Sequence, residues 1–210
     1  MPKLKDFGLY FITDSRLTRK TVIEDVKSAI KGGVKIIQYR EKDASKEQML
    51  AEAKEIKKLC KKNSVIFLVN DRIDIALESD ADGVHLGQDD ENYETARKLL
   101  GKNKIIGLTT HDVRESVEAE KLGADYIGLS PIFPTSTKAD AGKACGTEMI
   151  AQVKKYVKIP VVAVGGINES NISQVLKAGA KNLAIISAIL TKDDVEKAVK
   201  EFQAIINSHK

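Results

Sequence analysis

The sequence predicts a (β/α)8 barrel, and two features carry that expectation. Apolar runs rich in Val and Ile alternate with amphipathic runs from end to end, eight units in a row. The apolar runs are also nearly continuous, as strands covered on both faces should be. A closed parallel barrel accommodates eight such units. The competing open sheet would usually carry a Gly-rich nucleotide fingerprint at its switch point, and no GxGxxG occurs in the chain. At 210 residues the chain can fill one sizeable core but hardly two domains, so one barrel domain over 1–210 is expected.

Each unit reads as a strand followed by a helix. The first half gives "GLYFITD" then "TVIEDVKSAIKGG", "VKIIQYREK" then "SKEQMLAEAKEIKKLCKK", "SVIFLVND" then "RIDIALES", and "GVHLGQDD" then "NYETARKLLG". The second half gives "NKIIGLTTH" then "DVRESVEAEKLG", "DYIGLSPIF" then "TEMIAQVKKYV", "IPVVAVGGI" then "NISQVLKAGA", and "NLAIISAIL" then "DDVEKAVKEFQAIIN". Glycines in "KGG" (31–33), "KLG" (121–123) and "KAG" (177–179) supply the left-handed cap that ends a helix before the next strand.

Composition narrows the function classes. Lys and Arg number 34 against 30 Asp and Glu, and the excess is spread along the chain, which argues against nucleic acid or a membrane surface as partner. No apolar run is long enough to cross a bilayer and no signal-peptide pattern opens the chain, so the cytoplasm is the expected compartment. Cys60 and Cys145 show neither metal nor redox spacing.

In a barrel of this class chemistry gathers where strands end and βα loops begin, and the unusual polar residues fall there. Gln38, Arg40 and Lys42 end the second strand and alternate toward one side. Asn70 and Asp71 end the third, Gln88, Asp89 and Asp90 follow the fourth, and Thr109, Thr110 and His111 the fifth. The loop "SPIFPTSTK" follows the sixth, Gly165 and Gly166 the seventh, and Ser187 lies near the end of the eighth. Each has a plain structural reading. Arg40 and Lys42 pair as readily with Glu41 and Asp43 on the rim, Asp71 and Asp90 serve equally as helix N-caps, His111 as a cap, and His85 as a lining or core residue. Together they say more. Two carboxylates at neighbouring strand ends suit Mg²⁺, which takes one or two carboxylates plus phosphate oxygens. Arg40, Lys42 and Lys138 supply charge opposite a polyanion, and "VGGI" with the amides of the eighth unit matches the phosphate site of such barrels. Two anion sites are expected: a diphosphate beside the carboxylates, and a monophosphate on backbone amides.

The motifs "QYREK" (38–42), "ND" (70–71), "ADGVHLGQDD" (81–90), "GLTTH" (107–111), "GADYIGLSPIFPTSTK" (123–138), "AVGGI" (163–167) and "IISAI" (185–189) resemble thiamine-phosphate synthases, in order along nearly the whole chain. The resemblance implies a transferase that joins hydroxymethylpyrimidine diphosphate to a thiazole phosphate, releasing diphosphate. It assigns Gln38, Arg40, Lys42, Asn70, Thr109 and Lys138 to the pyrimidine diphosphate, with Lys138, Arg40 and Thr109 nearest the chemistry. It makes Asp71 and Asp90 the Mg²⁺ ligands and gives Thr135, Ser136, Thr137, Gly166, Ile186 and Ser187 to the thiazole phosphate. Ser130 stands where the family commonly has Gly, and Asn182 where it usually has a small residue.

Two rival readings remain. A thiazole tautomerase binds the same thiazole phosphate but needs no diphosphate and metal set. A non-catalytic paralogue binding a phosphorylated metabolite would keep the same residues, because binding and catalytic groups largely coincide in this chemistry.

Overall fold

The computed structural model describes residues 4–137 and 142–209. Eight parallel strands close into a barrel in chain order: β1 Gly8–Ile12, β2 Ile36–Tyr39, β3 Ile66–Asn70, β4 Gly83–Leu86, β5 Ile105–Thr110, β6 Tyr126–Leu129, β7 Val161–Val164 and β8 Asn182–Ile185. Pairing of Phe11 with Ile185 and of Leu9 with Leu183 joins the last strand to the first. The helices are α1 Val22–Gly32, α2 Lys46–Lys62, α3 Ile73–Glu78, α4 Tyr93–Leu100, α5 Val113–Leu122, α6 Glu148–Val153, α7 Ile172–Lys177, α8 Ser187–Leu190 and α9 Val195–Asn207. The expected barrel is therefore the observed one.

Local chemistry sets the helix ends. Thr21, Ser45, Asn92, Asp112 and Asp194 each accept the backbone N–H three residues on, satisfying a donor that the first turn leaves without a partner. Gly33 and Gly123 end α1 and α5 at φ of 97° and 99°, where a Cβ would be strained.

One boundary departs from the sequence reading. "NLAIISAIL" reads as one strand, but β8 stops at Ile185 and Ser187 opens the short helix α8. A continuous apolar run looks the same as strand or as buried helix, and here Ile189 and Leu190 bury themselves from the helical turn. Ser187 thus sits at the start of a helix, past the strand.

The core has two shells. Outward-facing strand residues pack under the helices, whereas Tyr10, Ile12, Ile36, Leu68, Ile105, Tyr126, Val162 and Ala184 fill the barrel itself. The N-terminal face is tied by Asn182, whose buried Oδ1 accepts from the backbone N–H of Phe7 at 2.8 Å and of Gly8 at 3.2 Å. That explains a polar residue where its counterparts are small: it laces β8 to the entry of β1, far from the rim that carries the site.

Candidate functional site

A cavity of about 1060 Å³, counted out to its mouth, opens at the C-terminal ends of the strands. Gln38, Arg40, Lys42, Asn70, Asp71, Thr109, Thr135, Thr137, Gly166, Ile186 and Ser187 all line it. Ser136 lines an adjoining rim cavity instead, together with Arg16, Glu169 and Lys192, and the two spaces share Thr135, Thr137, Gly166, Ile167 and Ser187. Lys138 lies outside the described residues.

The cations of the β2 loop do not pair with their sequence neighbours. Arg40 Nη1 donates to Asp14 Oδ2, and both side chains are nearly inaccessible, at 9% and 3%. Thr13 fixes the arginine backbone from the other side: its Oγ1 accepts from Arg40 N at 2.9 Å and donates to Arg40 O at 3.2 Å. Arg16 adds its Nε and Nη2 to the same Asp14 carboxylate at 3.1 and 3.0 Å. Burial opposes the charge on Asp14, but Arg16 and Arg40 outweigh it and hold the carboxyl below its ordinary range. Glu41, the expected partner of Arg40, turns away and accepts the backbone N–H groups of Lys42, Asp43 and Ala44 at 2.8, 2.8 and 3.2 Å. A carboxylate so surrounded organises the loop and leaves Arg40 to Asp14.

Lys42 reaches across to Asp71, where its Nζ donates to Oδ2. Asp71 has φ of 59°, a left-handed conformation uncommon for any residue but glycine. Its N–H donates to His85 O at 2.9 Å, so the main chain is held there by β4. The N-cap reading fails for both acidic residues. The N-cap of α3 is Arg72, which makes no side-chain cap bond, and that of α4 is Asn92. Asp90 Oδ2 accepts from Gly87 N at 2.6 Å, bending the loop back so that its carboxyl meets that of Asp71. Burial, followed by the neighbouring Asp71 carboxylate, raises Asp90 above the ordinary aspartate value. Two half-buried carboxyls brought together in this way, one of them raised by the other's charge, suit a hard cation. Among the described residues no cluster of three or more His, Cys, Asp or Glu is suited to a metal.

Gly165 and Gly166 form the β7 loop at φ of 98° and 65°. A Cβ on Gly166 would lie 2.6 Å from Pro134 O and 2.8 Å from Phe133 Cβ. Only glycine lets the β6 and β7 loops touch here. Phe133 N donates to Gly165 O at 3.1 Å and Ile132 N to Val164 O at 2.8 Å, so the hydroxyls of Thr135 and Thr137 are carried to the same wall as α8.

Several cavity residues were not read as functional from the sequence. Tyr10 and Tyr126 sit inside apolar runs, and only the closed barrel turns their hydroxyls together, 2.9 Å apart. His85 lines the cavity as expected, bridging Tyr126 and Thr109. His111 is held by Glu115, with Nδ1 2.8 Å from Oε2, and the α5 cap expected of it is made by Asp112. The three cues that mark this group in the sequence are the tyrosines of "GLY" and "DYIG" and the His of "GVHLG".

Residues 9–189 match the family described as thiamine monophosphate synthase. The chain is 55% identical over 207 residues to a thiamine-phosphate synthase of Methanosarcina mazei, covering 99% of this chain and 86% of the relative. It is 54% identical over 199 residues to one of Methanosarcina barkeri, covering 95% and 90%. A solved thiamine phosphate pyrophosphorylase from Pyrococcus furiosus superposes with a TM-score of 0.90 at 42% identity, covering 97% of both chains.

Proposed function

The chain belongs to the thiamine monophosphate synthase family, and on that premise we propose that it joins hydroxymethylpyrimidine diphosphate to a thiazole phosphate, giving thiamine phosphate and diphosphate. The observation that carries this reading is one cavity with two dissimilar anion-binding walls. Arg40, Lys42 and Asp71, with Asp90 against Asp71 just behind the lining, stand on one side, and the Gly165–Gly166 loop, Thr135, Thr137 and Ser187 on the other.

In this reading Arg40 and Lys42 hold the diphosphate, Gln38, Asn70 and Thr109 flank the pyrimidine, and Lys138 extends the charge from the β6 loop. Thr135, Ser136, Thr137, Gly166, Ile186 and Ser187 hold the thiazole phosphate through hydroxyls and amides. Asp71 and Asp90 would hold Mg²⁺, which when bound supplies charge neutralisation for the departing diphosphate. The bond that breaks joins the exocyclic methylene to the diphosphate oxygen, and the aminopyrimidine stabilises the cation left behind. The bond that forms uses the lone pair of the thiazole nitrogen, so no general base is needed. The side chains therefore align two substrates and stabilise a leaving anion. This agrees with a site that has ion pairs in place of a nucleophile–base couple. A cytoplasmic setting and one working domain over 1–210 complete the reading; among the described residues no helix is long and apolar enough to cross a membrane.

The test mixes protein with both substrates, with Mg²⁺ or with chelator, and detects thiamine phosphate as fluorescent thiochrome. Product only with Mg²⁺ supports the reading, and Asp71→Asn should lower turnover about a hundredfold or more. Folded protein that binds either substrate without turnover would return the reading to a binding paralogue.

A further inference from the structure

Ser130 and His111 stand side by side on the cavity wall, outside the machinery assigned above. The register puts them there: Leu129 on β6 pairs with Thr110 on β5, and Ser130 N donates to Thr110 O at 3.0 Å. Strand side chains alternate. Thr110 is fully buried against Ser116 of α5 and Leu129 packs in the outer shell, so the next pair along, His111 and Ser130, turns inward. Both residues line the cavity. Ser130 also lies at the seam between the two walls. On one side β5 carries Thr109, and on the other β7 leads into Gly165, with Ile132 N donating to Val164 O at 2.8 Å. In the reaction proposed above, the methylene and the thiazole nitrogen meet at that seam.

The imidazole is set as a base. Glu115 Oε2 accepts from His111 N at 2.9 Å and lies 2.8 Å from His111 Nδ1. A carboxylate has no hydrogen to give, so Nδ1 carries one and donates it. In the neutral ring Nε2 is then an acceptor. Asp112 fixes Glu115 in turn, its Oδ1 accepting from Glu115 N at 2.8 Å. A base held by an orienting carboxylate is the arrangement that activates a nucleophile. Among the described residues neither His111 Nε2 nor Ser130 Oγ has a hydrogen-bond partner, and the His111 side chain is 39% exposed. Two polar atoms on adjacent strands, not bonded to each other and open to solvent, suit one water between them.

We propose that His111 and Ser130 hold a water that captures the pyrimidine cation when no thiazole phosphate is present. The chain then has a second activity, hydrolysis of hydroxymethylpyrimidine diphosphate to the alcohol and diphosphate. The inference rests on the function proposed above, which supplies the cation. The bond from the methylene to the diphosphate oxygen breaks, and its electron pair leaves with the diphosphate. A lone pair of the water oxygen forms the new carbon–oxygen bond. One water hydrogen passes to His111 Nε2 and on to solvent, and the other stays in the alcohol, so nothing is oxidised or reduced. Ser130 Oγ orients the water, and Glu115 is a positioning residue for the ring.

The test gives the full chain hydroxymethylpyrimidine diphosphate and Mg²⁺ in ¹⁸O-labelled water, without thiazole phosphate, and follows released diphosphate and the mass of the alcohol. Diphosphate release with ¹⁸O in the alcohol is expected, and added thiazole phosphate should suppress it. Ser130→Gly and His111→Gln should each lower the ratio of hydrolysis to thiamine phosphate formation about tenfold, the worth of one hydrogen bond to the water. With ¹⁵N-labelled histidine the neutral His111 ring should carry its hydrogen on Nδ1, and Glu115→Ala should remove that preference together with the hydrolysis. No hydrolysis above buffer, label in the phosphate groups, or an unchanged ratio in the variants overturns the proposal. Each variant decides by itself, so one that does not fold leaves the other to be read. Thiamine phosphate made without hydrolysis overturns this inference alone, whereas hydrolysis without thiamine phosphate overturns only the function proposed above.

Discussion

Asp14→Asn removes one charge from the most buried ion pair at the rim while keeping the side chain's size. The Asp14 carboxylate receives Arg40 Nη1 together with the backbone N, Nε and Nη2 of Arg16. Arg16 is 47% exposed and its loss costs little, but the Arg40 side chain is 9% exposed and cannot rehydrate fully. Removing one partner of a buried pair costs about 3–5 kcal/mol, chiefly because the other charge is left uncompensated. The asparagine keeps one acceptor oxygen and Arg40 borders the cavity, so about 3 kcal/mol is expected, at the low end of that range. For a chain of this length each kcal/mol moves the melting temperature by about 2–4 °C, giving a fall of about 6–12 °C at pH 7. The pH dependence has a fixed sign. The Asp14 carboxyl is depressed in the folded protein, so its contribution is fully present above the unfolded-chain value and is lost as pH falls through the folded value. The gap between wild type and variant, followed by calorimetry, should therefore be wide at neutral pH and close on acidification. A fall of less than about 2 °C at pH 7 would refute the claim that this pair holds the rim together.

Three other substitutions probe separate parts of the barrel. Gly166→Ala places a methyl 2.6 Å from Pro134 O and 2.8 Å from Phe133 Cβ, which should cost about 1–3 kcal/mol; steady-state assays should show a raised KM for the thiazole phosphate, and an unchanged KM would separate that loop from the phosphate. Asn182→Ala leaves the N–H groups of Phe7 and Gly8 without their acceptor and should cost about 1–3 kcal/mol in urea denaturation with turnover unaffected; a loss of turnover in folded protein would contradict its assignment to the far face. Lys42→Met frees Asp71 from its ion pair and should tighten binding of Mn²⁺ alone, read by electron paramagnetic resonance, while weakening binding of inorganic diphosphate. Metal binding that is unchanged or weaker in Lys42→Met would show that the lysine does not compete for the Asp71 carboxylate.

What could be read from the sequence depended on how locally each feature is determined. Strand and helix order followed from patterning, because Val- and Ile-rich runs and Gly-terminated helices report on their own few residues. The site was legible for a topological reason: a parallel barrel carries every strand end to one rim, so Gln38, Asn70, Thr109 and Gly166 converge whatever the intervening helices contain. Partner choice was not legible. Arg40 stands beside Glu41 in sequence, yet the pairing of β1 with β2 sets it against Asp14. The tyrosines were silent for a related reason. A residue in a run buried on both faces gives no sign of which face it takes, and Tyr10 and Tyr126 differ from Leu9 and Ile127 only once the barrel closes. The end of β8 was hidden because its apolar run continues into α8 without a break in composition.

The charge pairing at the rim bears on how the cavity stays stable without ligand and, in the proposed function, how it would take a polyanion. Arg16 and Arg40 are already matched by Asp14 and Lys42 by Asp71, and Glu41 adds a further carboxylate on the β2 loop, so these cations bring no net positive charge of their own. In the proposed reading such a paired cluster offers a diphosphate hydrogen-bond donors but little net attraction. Extra positive charge has to arrive with the ligand or from the β6 loop. In the proposed reading the Asp71–Asp90 pair would provide for the first route, since Asp90, raised by burial and by the Asp71 charge, gains from a divalent cation between the two. Lys138 would provide for the second. The strained backbone of Asp71 fits the same logic: a carboxylate held at φ of 59° by β4 cannot retreat to its favoured conformation, so it stays between the lysine that neutralises it and the neighbour it would share an ion with.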